Sequence, residues 1–303
     1  MAITLREKYA PIFAQLGAAS KASSKIDETN VYQPANPYTR KIMDQLVIEN
    51  AKPDSHLEGM ENFKDFATQV KNGKKGLILC EHFSNTDLPS FLYLLEKSGD
   101  PDVAALSEKI VAIAGMKLNE ADPMVKAYAE SFTRVVIYPT RSQKSMATSG
   151  ASEEEIALEE TRAKKINFAA MRAMSACKER GEVILVFPSG TRYRPGKPET
   201  KRGLREIDSY IRQFDICLLV SINGSILTIN PENPEDMLAD YIEPVTLVMG
   251  GLPVIDCKSY RKEFMAKEPE NAEDPKQDFI DHIMSRMEEE HNRIDQMLGR
   301  VSE

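Results

Sequence analysis

The sequence predicts an α/β fold in which a mixed, largely parallel sheet is covered by helices and preceded by a small N-terminal helical subdomain. Two observations predict this class. From about residue 63, stretches with apolar residues at helical spacing alternate with short apolar runs of strand length. Two of these runs end in a polar turn, as strands do in open α/β sheets. Such alternation is typical of a sheet with helices on its faces, and 303 residues are enough to bury a substantial core.

The first sixty residues are expected to form the helical subdomain. Apolar residues recur at helical spacing over residues 5–16, and a second helix is predicted over residues 37–49. Polar and proline-containing segments separate the two helices. We therefore divide the chain into an N-terminal helical subdomain over residues 1–60 and an α/β domain over residues 61–303.

The later elements follow in alternation. Helices are predicted over residues 63–71, 87–97, 122–131 and 152–180. Strands are predicted over residues 76–80, 110–114, 134–138, 182–187 and 216–222. Further on, an apolar stripe from Phe279 to Leu298 predicts a helix with a packing face beside His282 and His291. We assign neither histidine a catalytic role.

Composition disfavours several functional classes. The formal charge of −8 and a pI of about 5.3 provide no basic face for nucleic acid. Four widely separated cysteines indicate neither a disulfide framework nor a metal site, and they suit a reducing compartment. No run approaches the ~20 apolar residues of a membrane span, and the first residues lack the core of a signal peptide. We expect a protein that is soluble or peripheral to a membrane, with no transmembrane segment.

A histidine and an aspartate follow the strand predicted at residues 76–80. His82 lies in the turn, and Asp87 stands where the next helix is predicted to begin. An imidazole with a carboxylate partner can take a proton from an alcohol near neutral pH. In an alternative interpretation, Asp87 caps the helix and His82 is an ordinary loop residue. The position at the carboxyl end of a strand favours the catalytic interpretation.

A second motif, Phe-Pro-Ser-Gly-Thr-Arg-Tyr-Arg-Pro, covers residues 187–195 where another predicted strand ends. Its arginines, Arg192 and Arg194, stand one residue apart in a predicted turn. Two guanidinium groups so placed can bind a phosphate dianion. Together with His82 and Asp87 they suit a reaction at the hydroxyl of a phosphorylated small alcohol.

The two motifs resemble those of the glycerolipid acyltransferase superfamily, in which a His-x4-Asp block precedes an arginine block at this distance. The two-arginine form is similar to that of the soluble glycerol-3-phosphate acyltransferases of plastids and chlamydia-like bacteria. Members that acylate lysophosphatidic acid usually have one arginine and an acidic residue in place of Ser189. The resemblance extends over roughly residues 60–250.

This resemblance implies transfer of a fatty acyl group to the sn-1 hydroxyl of glycerol 3-phosphate. It implies acyl carrier protein or coenzyme A thioesters as co-substrates, no further cofactor or metal, and a cytoplasmic or plastid stromal location. Contact with a membrane surface is left open. Within this scheme His82 removes the hydroxyl proton, and Asp87 holds the ring tautomer and stabilises the imidazolium.

One block of the resemblance is incomplete. In the family, a Lys-His pair after the third predicted strand helps to hold the phosphate. Arg141 matches the lysine and keeps its charge, but Ser142 replaces the histidine. A hydroxyl can still form a hydrogen bond to a phosphate oxygen. Arg141 and Ser142 therefore join Arg192 and Arg194 as expected phosphate contacts.

Basic residues are dense after the arginine motif. The members of this basic cluster are Lys197, Lys201, Arg202 and Arg205. Their charge could attract the acidic surface of an acyl carrier protein or the phosphates of coenzyme A. The alternative is a solvated loop that leads into a helix.

Other functions stay open as alternatives. One is sn-2 acylation of lysophosphatidic acid, and another is a non-catalytic module that binds lipid phosphates or a carrier protein. A Ser-His-Asp hydrolase would use Ser84 or Ser189, yet neither lies in a Gly-x-Ser-x-Gly elbow. The glycine motifs of dinucleotide and P-loop sites do not occur in the sequence.

Overall fold

The computed structural model describes residues 2–21, 23, 25–116, 118, 123–139, 152–269 and 272–300. The helices in these ranges are α1 (Leu5–Ala19), α2 (Pro37–Asn50), α3 (Met60–Lys71), α4 (Asp87–Glu96), α5 (Pro101–Ala104), α6 (Leu106–Lys109), α7 (Pro123–Glu130), α8 (Glu153–Glu179), α9 (Ile207–Ile211), α10 (Cys257–Met265) and α11 (Pro275–Met297). The strands are β1 (Tyr32–Gln33), β2 (His56–Glu58), β3 (Gly76–Cys80), β4 (Ile110–Gly115), β5 (Arg134–Ile137), β6 (Val183–Val186), β7 (Ile216–Asn223), β8 (Leu227–Thr228), β9 (Tyr241–Ile242), β10 (Val248–Gly251) and β11 (Ile255–Asp256). Helices alternate with strands of a mixed, largely parallel sheet, which confirms the predicted α/β class.

The chain divides into two compact units. The first contains residues 1–10, 44–110 and 181–303, and the second contains residues 11–43 and 111–180. The helices at the start of the sequence thus contribute to both units. The boundary predicted at residue 60 stays a prediction.

The first unit contains the strands that carry both motifs. Its strand order is β6, β3, β7, β10 and β2, and β11 also pairs with β7. β3 runs parallel to β6 and β7, whereas β10 runs antiparallel to β7. Every residue of β3, β6 and β7 is buried. Because such strands have no solvent-exposed face, their sequences are apolar runs, interrupted in β7 by the buried polar residues Ser221 and Asn223.

The register of β3 and β6 determines where the two motifs begin. Leu79 of β3 lies opposite Val186 of β6 in a parallel pair. The chain therefore leaves both strands at the same edge and at nearly the same level. His82 and Phe187 follow these strand ends, at the edge where open α/β sheets bind ligands.

The second unit has a smaller set of strands, in the order β1, β5 and β4. β4 is parallel to β5, and β1 is antiparallel to it. Helix α8 packs on β5 through Ile166, which shares a buried cluster with Val136 and Tyr138. Ser152 and Glu155 form a capping box that fixes the start of this helix.

Two short strands interrupt the first sixty residues, which were expected to be helical. β1 pairs with β5, and β2 runs parallel to β10. Each contains only two or three residues and pairs with a strand far along the chain. Segments this short carry no periodic pattern, so sequence analysis missed them.

Helix α11 has the apolar face predicted from its sequence. Phe279, Ile283, Met287 and Ile294 are at most 1% exposed. Asp274 caps the helix by accepting the N–H of Gln277. Within the ranges that the structure describes, no helix combines the length and apolar content needed to cross a membrane.

Candidate active site

The loop between β3 and α4 carries the histidine of the first motif. The Nδ1 atom of His82 lies 2.9 Å from Oδ2 of Asp87, the first residue of α4. The histidine side chain is 17% exposed, and that of the aspartate is 2% exposed. The pair therefore presents an accessible imidazole backed by a buried carboxylate.

Asp87 orders the loop as well as the ring. Its Oδ2 accepts hydrogen bonds from the backbone N–H groups of Phe83 and Ser84, and its Oδ1 accepts one from the Ser84 hydroxyl. The N-cap residue of α4 is Thr86, whose side chain makes no capping hydrogen bond. A capping carboxylate would instead accept N–H groups of the first helical turn. The alternative interpretation of Asp87 as a simple helix cap does not fit this geometry.

The hydrogen bond to Asp87 selects the tautomer of neutral His82. A carboxylate can only accept, so Nδ1 carries the proton and Nε2 keeps its lone pair. The ring stacks on Phe187, with centroids 4.1 Å apart and an interplanar angle of 17°. The stack limits rotation of the imidazole. The arrangement can take a proton at Nε2 while Asp87 stabilises the imidazolium that forms.

Backbone contacts join the arginine motif to the histidine loop. The N–H of Tyr193 donates to the carbonyl of His82 at 2.8 Å. The turn that follows β6 also depends on Gly190, which has a φ of 65°. The positive φ favours glycine, and a Cβ at this position would lie 2.7 Å from Cδ1 of Leu204, whose side chain would have to shift. The structure thus brings the two sequence motifs into contact.

Arg192 forms a buried ion pair with Asp240. Its Nη1 donates to Oδ2 of the aspartate, and the two side chains are 9% and 0% exposed. Burial raises the pKa of Asp240, although the charge and hydrogen bond of Arg192 oppose this shift. The guanidinium is therefore held by a carboxylate far along the chain, a partner that sequence analysis missed.

Arg194 forms a two-point ion pair with Glu235. Nη1 and Nη2 donate to the two carboxylate oxygens, and the glutamate side chain is 74% exposed. The hydrogen bond from Arg194 is the main cause of the lowered pKa of Glu235. Exposed pairs of this kind contribute little stability, so another anion can replace the carboxylate. Arg141 and Ser142, the other expected phosphate contacts, lie outside the described residues.

The basic cluster is matched by acidic residues of α11 and its N-cap. The pairs are Lys201 with Glu288 at 2.9 Å, Arg202 with Asp281 at 2.7 Å and Arg205 with Asp274 at 2.6 Å. The charge of Lys197 contributes to the lowered pKa of Glu235. The cluster thus ties α11 to the arginine motif, and its role toward an acyl donor stays a prediction.

The two serines considered as nucleophiles hydrogen-bond elsewhere. The hydroxyl of Ser84 lies 2.9 Å from Oδ1 of Asp87, and that of Ser189 donates to the carbonyl of Thr191 at 2.7 Å. A Ser-His-Asp hydrolase requires a serine hydroxyl within reach of the histidine. Neither of these contacts is with His82, so the geometry disfavours that alternative. Among the residues with described positions, no cluster of histidine, cysteine or acidic side chains has the arrangement of a metal site.

Comparison with known protein families gives a match over the residues that carry both motifs. The family described as Acyltransferase matches residues 55–212, slightly more than half of the chain. The matched range contains His82, Asp87, Arg192 and Arg194. No curated protein matches the sequence. From the extent of the family match, we conclude that the chain belongs to the acyltransferase family.

Proposed function

We propose that the protein transfers a fatty acyl group to the sn-1 hydroxyl of glycerol 3-phosphate and forms 1-acylglycerol 3-phosphate. The stacking of His82 on Phe187 carries this proposal, because it sets a base beside the motif that holds Arg192 and Arg194. A base next to an anion site suits an alcohol that also bears a phosphate. In this proposal the donor is a thioester of acyl carrier protein or coenzyme A, and no other cofactor takes part.

The proposed base is Nε2 of His82. It takes the proton of the sn-1 hydroxyl while the hydroxyl oxygen forms a bond to the thioester carbonyl carbon. The tetrahedral intermediate then breaks its carbon–sulfur bond, and the leaving thiolate receives the proton from the imidazolium. Asp87 stabilises that imidazolium, and in the neutral ring its hydrogen bond places the proton on Nδ1 and leaves the lone pair on Nε2. The reaction requires no covalent acyl-enzyme.

Arg194 is the proposed main contact of the substrate phosphate. Its guanidinium already binds two oxygens of Glu235, and a phosphate offers two oxygens in a similar geometry with greater charge. On substrate binding, the exposed glutamate moves into solvent. Arg192, held by Asp240, adds positive charge beside this position. The further assignment of Arg141 and Ser142 to the phosphate rests on the resemblance alone.

The basic cluster is the proposed contact for the donor phosphates or the carrier protein. Three members of the cluster form ion pairs with acidic side chains, namely Lys201, Arg202 and Arg205. We therefore expect the change Lys197→Ala to raise the KM of the donor more than the same change at the other three positions. The KM of glycerol 3-phosphate, measured in the same variants, should change less than the KM of the donor.

The test of the proposed function is product formation by purified protein. It is supplied with sn-glycerol 3-phosphate and with palmitoyl thioesters of both carriers, and His82→Ala is the control variant. We expect 1-acylglycerol 3-phosphate from the wild type and its loss in the variant. Glycerol has the same hydroxyl without the phosphate and should react at least about a hundredfold more slowly, because phosphate binding contributes to the rate.

Each other outcome points to a different conclusion. Transfer only to lysophosphatidic acid would overturn the choice of acceptor and favour sn-2 acylation. Transfer to neither acceptor, with carrier-protein binding that survives His82→Ala, would favour a non-catalytic binding module. Product formation that persists in His82→Ala would reject the assigned base but not the reaction.

A further inference from the structure

A buried charged group lies directly before His82. Oε2 of Glu81 is 3.0 Å from Nδ1 of His291 on α11, and Nε2 of this histidine is 3.3 Å from Oδ2 of Asp295. The side chains of Glu81 and His291 are 4% and 18% exposed. One imidazole therefore lies between two carboxylates, and only its protonated form has an N–H for each. We refer to these three residues as the Glu81–His291–Asp295 triad.

The surroundings of His291 favour its charged form. Burial disfavours the charge, but the hydrogen bond and charge of Glu81, with the charge of Asp295, outweigh burial and raise the pKa of His291. Lys201, after β6, is the cation that opposes this shift. Asn223 of β7 donates to the carbonyl of His291 and to Oδ1 of Asp295. These contacts fix one turn of α11 against the sheet.

The triad holds the residues directly before and after the proposed base. Glu81, which precedes His82, binds His291 and also accepts with its Oε2 the N–H of Ile222 in β7 at 2.8 Å. The ring of Phe83, which follows His82, contacts the ring of His291, with centroids 5.3 Å apart. His291 therefore touches both sequence neighbours of His82, although it lies more than two hundred residues away.

We propose that His291 is a positioning residue, which holds residues 81–83 so that the His82 ring stays on Phe187 with Nε2 available. This inference rests on the proposed acyl transfer and extends the active site beyond the family match, which ends at residue 212. The loop is fixed after His82 by Asp87, and the triad fixes it before His82. A displacement of about 1 Å at a base can cost about a hundredfold in rate.

His282 provides a matched control on the same helix. It is partly buried, and its Nε2 lies 2.7 Å from the hydroxyl of Tyr260. Its ring stacks with Phe264. Removal of this imidazole disturbs the packing of α11 but leaves the contacts to Glu81 and Phe83 in place.

The first experiment compares the kinetics of His291→Ala and His282→Ala. We expect His291→Ala to lower kcat about tenfold to a hundredfold, with a change in the KM of glycerol 3-phosphate below about threefold. His282→Ala should leave both parameters within about twofold of the wild type. Equal losses of kcat in the two variants would overturn the positioning role, since they would reflect the general stability of α11.

A pH series with His291→Lys provides the rescue. A lysine keeps a positive charge between Glu81 and Asp295 to much higher pH than a histidine does. The wild type should lose kcat as the pH rises through the raised pKa of His291, because the neutral ring has only one N–H. His291→Lys should retain kcat in that range. An alkaline limb that is the same in both proteins would reject the proposal.

A measurement that does not depend on catalysis tests this inference independently of the proposed function. The protein has four histidines, so ring signals of ¹⁵N-histidine can be assigned by single substitutions. We expect the His82 signals to shift in His291→Ala and to stay unchanged in His282→Ala. That result would support the positioning role even if the wild type acylates neither acceptor. Unchanged His82 signals in folded His291→Ala would overturn it even if glycerol 3-phosphate is the substrate.

Discussion

At the scale of single residues, the Asp87 carboxylate acts on both the ring and the loop. It orients His82 and accepts the N–H groups of Phe83 and Ser84. Asp87→Asn keeps the shape of the side chain but removes the charge that stabilises the imidazolium in the proposed mechanism. We expect kcat to fall about a hundredfold to ten-thousandfold while the fold is retained, measured by steady-state kinetics and circular dichroism. Ser84→Ala removes one donor to the same carboxylate and should cost less than about tenfold; an equal loss would contradict the role of the charge.

Arg194 and Glu235 form an ion pair, and substitutions of the two residues should change the KM of glycerol 3-phosphate in opposite directions. Arg194→Ala should raise the KM of glycerol 3-phosphate at least about tenfold, because it removes the proposed two-point phosphate contact. Glu235→Gln should lower the same KM about twofold to fivefold, because it removes the competing carboxylate. Glu232→Gln is the exposed control that changes the net charge equally. A KM that falls to the same extent in Glu232→Gln would indicate a general effect of charge.

At the scale of elements, the two histidines of α11 should give opposite pH dependences of stability. The pKa of His291 is raised, whereas burial is the main cause of the lowered pKa of His282. The stabilisation from protonated His291 is present below the unfolded pKa of about 6.5 and is lost as the pH rises through the raised folded value. For His282, the unfolded state binds the proton more readily, so stability is lost as the pH falls through the folded value.

Urea unfolding of His291→Gln and His282→Gln at a series of pH values measures this contrast. As the pH rises, the wild type should lose free energy of unfolding relative to His291→Gln and gain it relative to His282→Gln. The same trend for both variants would contradict the assigned electrostatics of α11.

The turn after β6 leads to a prediction about Gly190. Gly190→Ala combines a positive φ with a close contact to Leu204, and we expect it to lower the free energy of unfolding by about 1 to 3 kcal/mol. Gly181→Ala has a similar φ of 72° and no atom within 4 Å of the added Cβ, so it should cost less. If chemical denaturation gives both variants the same loss of free energy of unfolding, the side chain of Leu204 moves away from the added Cβ without cost.

At the scale of the whole molecule, the cysteine thiols are shielded from solvent and from reagents dissolved in it. All four cysteines are buried. Burial raises the pKa of Cys80 and Cys217 well above the ordinary value, and that of Cys257 to about 12. We expect a thiol reagent to react slowly with the native protein and to titrate four thiols after unfolding. Incubation with an acyl thioester should leave the mass of the protein unchanged, and an acyl adduct on any cysteine would contradict direct transfer.

The parts of the fold and site that the sequence predicted are local ones. β3 was predicted with the bounds that the structure has, since a strand buried on both faces is a continuous apolar run. The proximity of the two motifs followed from their positions at strand ends. The partners of Arg192 and Arg194 could not be predicted, because Asp240 and Glu235 are separated from them by 48 and 41 residues and show no local pattern.

Sequence analysis placed His291 beside the apolar stripe of α11 but did not infer a buried partner from that position. His291 lies on the apolar stripe of α11 between Met287 and Ile294, both fully buried. A polar group on a packing face requires a buried partner, so this position indicated a hidden contact. The identity of the partner, Glu81, could not be read from the sequence because it is 210 residues away.

The strand order also has a consequence for synthesis on the ribosome. β3 lies between β6 and β7, and both come far later in the chain. As translation proceeds, β3 and the His82 loop emerge without either neighbouring strand, and α11 emerges later still. A nascent chain therefore carries the His-x4-Asp motif before it has the packing that holds the proposed base in place. If the proposed roles of His82 and His291 hold, we expect acyl transfer only after β6, β7 and α11 have been translated and have packed with β3.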